Sequence, residues 1–177
     1  MKPFYSLFTA AILVAIVFNA SPSLAEAAPA QAPPAQAPPA SSAFDQILEH
    51  YEAVRLALTQ DTVQGVSEHS AQISTIVTDL ESKKSLKGDN TDELQALLPD
   101  LKQAAASLTT ATSLKAARDA FYELSKPMVR FRKSISGDKP VVAYCSMAKR
   151  SWLQPAGKLA NPYYGQSMLR CGEIVDG

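Results

Sequence analysis

The stretch Leu114-Lys-Ala-Ala-Arg-Asp-Ala-Phe121-Tyr-Glu-Leu124-Ser-Lys-Pro-Met128-Val-Arg-Phe131-Arg-Lys-Ser-Ile135 decides the fold class. Its apolar positions Leu114, Ala117, Phe121, Leu124, Met128, Phe131 and Ile135 step by three and four without error, which lays one apolar stripe along a helix. Gly137 suits the C-terminal cap, and Pro127 predicts a local bend.

Three more segments carry the same period. In the first, Phe44, Ile47, Leu48, Tyr51 and Leu58 share a face, with Asp45, Glu49, Glu52 and Arg55 on the rest of the cylinder. In the second, Val63, Val66, Ser70, Ile73, Val77 and Leu80 align, and Lys83, Lys84 and Lys87 complement the C-terminal dipole before Gly88. In the third, Asn90 is placed to cap, with Glu93 three residues on, ahead of Leu94, Leu97, Leu98, Leu101, Ala105 and Leu108. Pro99 should kink or split that helix. Segments this short, joined by short loops, predict antiparallel neighbours around one core rather than a coiled-coil rod. The fold class expected is all-α, an antiparallel four-helix bundle.

Beyond Gly137 the helical period stops. Pro140-Val-Val-Ala-Tyr-Cys145 looks extended, and Pro155, Gly157, Asn161-Pro162 and Gly165 interrupt the remaining residues. This irregular tail holds Trp152 and the pair Tyr163-Tyr164, so it should fold back onto the helices.

Toward the other end, residues 1–25 read as a secretory signal peptide. Lys2 gives the positive start, Leu7 to Phe18 an apolar run too short to span a bilayer, and Ser23-Leu24-Ala25 a small-x-small cleavage site. Residues 26–42 are an Ala/Pro/Gln spacer with the near-repeat Gln31-Ala-Pro-Pro-Ala-Gln36-Ala-Pro-Pro-Ala. Residues 43–177 make one domain, with a motif region at 140–175. The expected product is periplasmic or secreted, with no integral membrane segment in the mature chain.

Lys plus Arg and Asp plus Glu balance at 17 each, so no global field points to nucleic acid. Residues 43–110 hold 11 acids against 5 bases, and residues 111–177 hold 5 against 11. The gradient predicts intramolecular complementarity. No Gly-rich phosphate loop, G-x-S-x-G elbow or metal-binding histidine motif occurs, which argues against an enzyme.

The tail carries a resemblance. Tyr144-Cys-Ser-Met-Ala148, Trp152-Leu-Gln154, Asn161-Pro-Tyr-Tyr-Gly165 and Met168-Leu-Arg-Cys-Gly-Glu173, with Ser113 to Ser125 upstream, resemble the bacterial family called domain of unknown function 3347. That family occurs alone behind signal peptides and attached to adaptor subunits of heavy-metal efflux pumps, so the resemblance implies efflux or other envelope proteins as partners. The family commonly has a histidine and a proline where this chain has Tyr144 and Ser146.

Two readings of the sulfurs stand side by side. In an extended segment Cys145 and Met147 point to one side, and in a helical turn Met168 and Cys171 do so too, so four soft ligands could converge on Cu(I) or Ag(I). The functional reading is then a small binding protein of heavy-metal homeostasis. In the alternative, an oxidising compartment joins Cys145 and Cys171 as a disulfide, the methionines fill the core, and the domain is an interaction module without a metal role. Trp152, Asn161, Pro162, Tyr163, Tyr164 and Gly165 would then hold a docking surface, with burial against the helices the competing expectation. Lys126, Arg130 and Lys133, joined by Arg132, Lys149 and Arg150, are read as a solvated basic face, and His50 and His69 as boundary residues.

Overall fold

The four periodic segments fold as α1 (Ala40–Thr59), α2 (Val66–Lys83), α3 (Thr91–Thr109) and α4 (Leu114–Lys133) in a computed structural model. Three strands come next, β1 (Val141–Cys145), β2 (Arg150–Gln154) and β3 (Glu173–Asp176), with a 3-10 turn at Gly165–Met168 before the last. The structure describes residues 40–83, 86, 90–133 and 138–176, all within one compact unit. The expected leader, the spacer up to residue 39, and Lys84, Lys87, Gly88, Ile135 and Gly137 lie outside the described residues. α1 starts at Ala40, so the last three positions assigned to the spacer are helical.

The apolar stripes bury as their spacing predicts. Phe44, Ile47, Tyr51 and Leu58 of α1 are buried, with Val54 added, and so are Ser70, Ile73, Val77 and Leu80 of α2. Leu94, Leu97, Leu98, Leu101, Ala105 and Leu108 of α3 face Ala117, Phe121, Leu124, Met128 and Phe131 of α4 in the same cluster. Each helix packs on the next in sequence, and α1 closes on α4. That closure is aromatic: Phe44 meets Phe131 edge-on at 5.2 Å between centroids, and Tyr51 lies against Phe121 at 4.7 Å.

Some local expectations change. α3 is not split at Pro99, and α4 likewise continues through Pro127. A proline forfeits one backbone bond, and the leucines and phenylalanines buried on both sides of it hold the remaining turns in place. Asn90 occupies the N-cap of α3 but with a left-handed φ of 67°, and its side chain makes no capping bond. The capping box with Glu93 is therefore not formed, whereas Ser113 caps α4 through Ala116 N–H at 3.2 Å. Arg55 and Arg132, read as outward-facing, are buried, because each finds carbonyl and carboxylate partners.

The tail is not wholly irregular. β1 is the central strand of an antiparallel sheet ordered β2-β1-β3, with Val141 opposite Gln154 and Cys145 opposite Arg150 on one side. On the other side Ala143 pairs with Ile174 and Tyr144 with Glu173, after an irregularity at Val142/Ala143. The fold is thus four helices plus a small sheet, and β2 packs on α4.

Phe121 is fully buried at the junction of α1, α4 and the tail. Phe121→Ala should cost about 3–5 kcal/mol in chemical denaturation, and a negligible loss would contradict this core.

Candidate functional site

A hydroxyl relay fixes the sheet to the helices. Leu153 N–H donates to Tyr51 Oη at 3.1 Å, Tyr51 donates to Ser125 Oγ at 2.7 Å, and Ser125 donates to Phe121 C=O at 2.8 Å. Burial pushes the Tyr51 phenol up, which keeps its proton in the relay despite the opposing effect of its hydrogen bonds with Ser125 and Leu153.

Arginines supply the other ties. Arg55 holds Glu52 through two contacts of 2.6 Å and donates to Ala160 C=O at 2.8 Å. Arg118 donates to Pro162 C=O at 2.8 Å, Leu58 C=O at 3.0 Å and Asp61 at 2.5 Å. Arg132 reaches Pro140 C=O and, at 2.8 Å, Asp176. Arg150 is paired with Asp119 at 2.7 Å and lies over the rings of Tyr122 and Tyr163.

The same contacts close a clasp at the loop after α1. The Arg118 guanidinium, and then Gln166 N–H, hold the Asp61 carboxyl below the usual carboxylate range. Gly165 packs into this corner with φ of 56°, and a Cβ there would collide with the Asp61 and Arg118 side chains.

Asn161 organises the tail from within. Its side chain donates to Cys171 C=O at 2.8 Å and accepts from Tyr163 N–H at 2.8 Å and Tyr164 N–H at 3.3 Å, and it is fully buried. Trp152 is also fully buried, packed edge-on to Tyr163 at 5.9 Å, with its indole N–H on Gln154. Pro162, Tyr163 and Gly165 are buried and Tyr164 half-buried. Of the two expectations for these residues, burial against the helices is the one their exposure agrees with, since the rings gain more by desolvation against α4 than they could exposed.

Asn161 also places the sulfurs. Cys145 Sγ at the end of β1 lies 2.9 Å from Cys171 Sγ, with Cys145 buried and Cys171 half-buried. Burial opposes ionisation of Cys145, but hydrogen bonds from Cys171, the Ala148 and Met147 N–H groups and Asn161 together hold its thiol below the ordinary value. Cys171 is pushed up, first by its bond to Cys145 and then by burial. The pair is asymmetric in exposure, Cys171 being the more accessible sulfur.

The two methionines differ in exposure. Met147 falls in the turn after β1, where the alternation of the strand has ended, and it is 61% exposed. Met168 is half-buried at the end of the 3-10 turn. Two thiolates sharing one ion at roughly 2.3 Å each stand about 3.8 Å apart at a tetrahedral angle, more at wider angles, so no ion fits between sulfurs at 2.9 Å. Among the described residues no group of three or more His, Cys, Asp or Glu is placed to hold a metal.

The charge gradient resolves in an unexpected way. Asp61–Arg118 is the ion pair among the described residues that joins the acidic half to the basic half. Arg132 and Arg150 are drawn into internal contacts, leaving Arg130, Lys133 and Lys149 exposed beside Lys126, which is paired with Glu123. His50 and His69 lie at the boundary, as expected, but in contact with each other, which their 19-residue separation does not reveal.

Residues 47–139 match the family described as "Protein of unknown function (DUF3347)". The chain belongs to that family. The DUF3347 match spans the helices from within α1 and ends just before β1, so the cysteine pair lies outside it. No curated protein and no solved structure matches the chain. Among the described residues of this DUF3347 protein, no helix is long and apolar enough to cross a membrane.

Tyr51→Phe would leave Leu153 N–H and Ser125 Oγ without the partner that joins them. Urea denaturation should register a loss of about 1–3 kcal/mol. An unchanged midpoint would show that the relay does not hold the sheet.

Proposed function

We propose that this domain is an exported, non-catalytic binding module of the cell envelope, an antiparallel helical bundle whose tail is latched by a Cys145–Cys171 disulfide. The 2.9 Å approach of the two sulfurs carries the reading. Both cysteines sit on elements held from several sides, so little movement is needed to bond them. Latching is a thiol–disulfide exchange: the more accessible Cys171, its proton lost to solvent, attacks the disulfide of an oxidised carrier of the compartment, forming a mixed disulfide and freeing one carrier sulfur as a thiolate. The Cys145 thiolate then attacks the Cys171 sulfur and expels the carrier as a thiolate, so the carrier leaves reduced by two electrons. Across 26 residues of separation, the closed loop contributes about 3.5 kcal/mol in the chain-entropy model.

The partners this reading favours are envelope proteins, heavy-metal efflux components among them, as the family resemblance implies. Docking would use the outer helix faces, because the aromatic motif is committed to the interior. Binding of Cu(I) or Ag(I) by Cys145, Met147, Met168 and Cys171 competes with the latch, since a bonded sulfur pair has no thiolate to offer.

Thiol titration of exported protein in denaturant tests the proposal. Expected are no reactive thiols before reduction, two after it, and a lower unfolding midpoint in the reduced protein. Two free thiols in unreduced exported protein would overturn the latch. Cu(I) competition on wild type and Met168→Leu would then decide the soft-metal reading, with weaker binding in the variant expected if Met168 is a ligand.

A further inference from the structure

The crossing of α1 and α2 brings two imidazoles face to face. His50 Nδ1 lies 3.1 Å from His69 Nδ1, with ring centroids 5.4 Å apart and planes tilted by 39°. Both side chains are half-buried, so their remaining edges reach solvent. The helices set this geometry. His50 sits three residues after buried Ile47, and His69 three residues after buried Val66, so each borders the stripe that packs α1 on α2.

The contact is one N–H···N hydrogen bond, one ring carrying hydrogen at Nδ1 and the other accepting there. A transition-metal ion bound by imidazole nitrogens at 2.0–2.1 Å needs them about 3.3 Å apart at a tetrahedral angle, and closer at narrower angles. The observed 3.1 Å is the length of the hydrogen bond itself, and parting the two rings by about 0.2 Å would admit an ion between them.

We propose that His50 and His69 chelate a borderline divalent cation, Zn(II) being the representative, through their Nδ1 atoms. The ion takes the place of the shared proton. The ring that carried hydrogen at Nδ1 transfers it to Nε2, so both ligands remain neutral and no net proton is released. Imidazole nitrogen suits Zn(II), Cu(II) and Ni(II) better than hard cations. Two protein ligands leave coordination positions for water or for a donor from a partner, and the bound ion ties α1 to α2. The site goes beyond the latch and shares no residue with it.

Zn(II) titrated alone into the exported chain by calorimetry, with ¹⁵N resonances of the imidazoles followed by NMR, tests the assignment. One equivalent should bind, shifting the Nδ1 signals of both histidines. His50→Gln and His69→Gln should each weaken binding at least tenfold. The Cys145→Ser, Cys171→Ser double variant should bind as wild type does, whatever the fate of the latch. Loss of binding in the double serine variant would place the ion on the thiols and overturn the proposal. So would unchanged affinity in both glutamine variants, or no saturable binding to wild type at millimolar Zn(II). Should a glutamine variant fail to fold, the wild-type spectra decide: Nδ1 signals that stay put as Zn(II) is added overturn the assignment.

Discussion

A chain segment with few ladder hydrogen bonds, pressed onto helices, must find donors for its carbonyl oxygens, and this constraint governs the architecture of the C-terminal third. A buried polar group left without a partner costs about 1–3 kcal/mol. The helices answer with arginine. Arg55, Arg118 and Arg132 reach the carbonyls of Ala160, Pro162 and Pro140, and each also keeps a carboxylate partner that offsets the cost of burying its charge. The planar guanidinium can serve a carboxylate and a carbonyl at once, which a lysine ammonium on its flexible stem does less well. The exposed basic residues of α4 include lysines, and the buried one is Arg132.

Those ties explain which parts of the molecule were legible from the chain alone. The helical stripes were readable because each repeats over several turns, and one misplaced residue does not disturb the period: Phe121, Leu124, Met128 and Phe131 all bury. Arg55 and Arg132 were misread because hydropathy reports the charge and not the carbonyl waiting for it. The extended character of Val141–Cys145 was visible, but its partners were not. β2 and β3 are five and four residues long, and β3 is exposed throughout, so neither carries an alternating pattern. Asn90 has the right residue type for a cap, yet its left-handed backbone gives the side chain no bond to make. His50 and His69 meet only because two helices cross, which no local pattern encodes.

The candidate site shows the same division. Residue chemistry narrowed attention to Cys145 and Cys171, and the structure supplies what chemistry could not, their 2.9 Å approach and unequal environments. The Asn-Pro-Tyr-Tyr-Gly motif, a natural candidate for recognition, is absorbed by the interior: Asn161 spans from Cys171 to Tyr163, and Tyr163 covers Trp152. Gly172 belongs to this interior as well. Its φ of 135° and the closeness of Tyr144 C=O and the Trp152 ring leave no room for a side chain as the backbone passes from Cys171 into β3.

The ties between tail and helices also join residues far apart along the chain: Tyr51 with Leu153 across 102 positions, Arg55 with Ala160 across 105, Asp61 with Gln166 across 105. Contacts of such range form late, because loop-closure entropy must be overcome before they return any stabilisation. Neighbouring helices close far shorter loops. The closure of α1 on α4 spans 74 positions between Tyr51 and Ser125, so platform and tail share one set of long-range ties, and what loosens the helices also parts the two thiols.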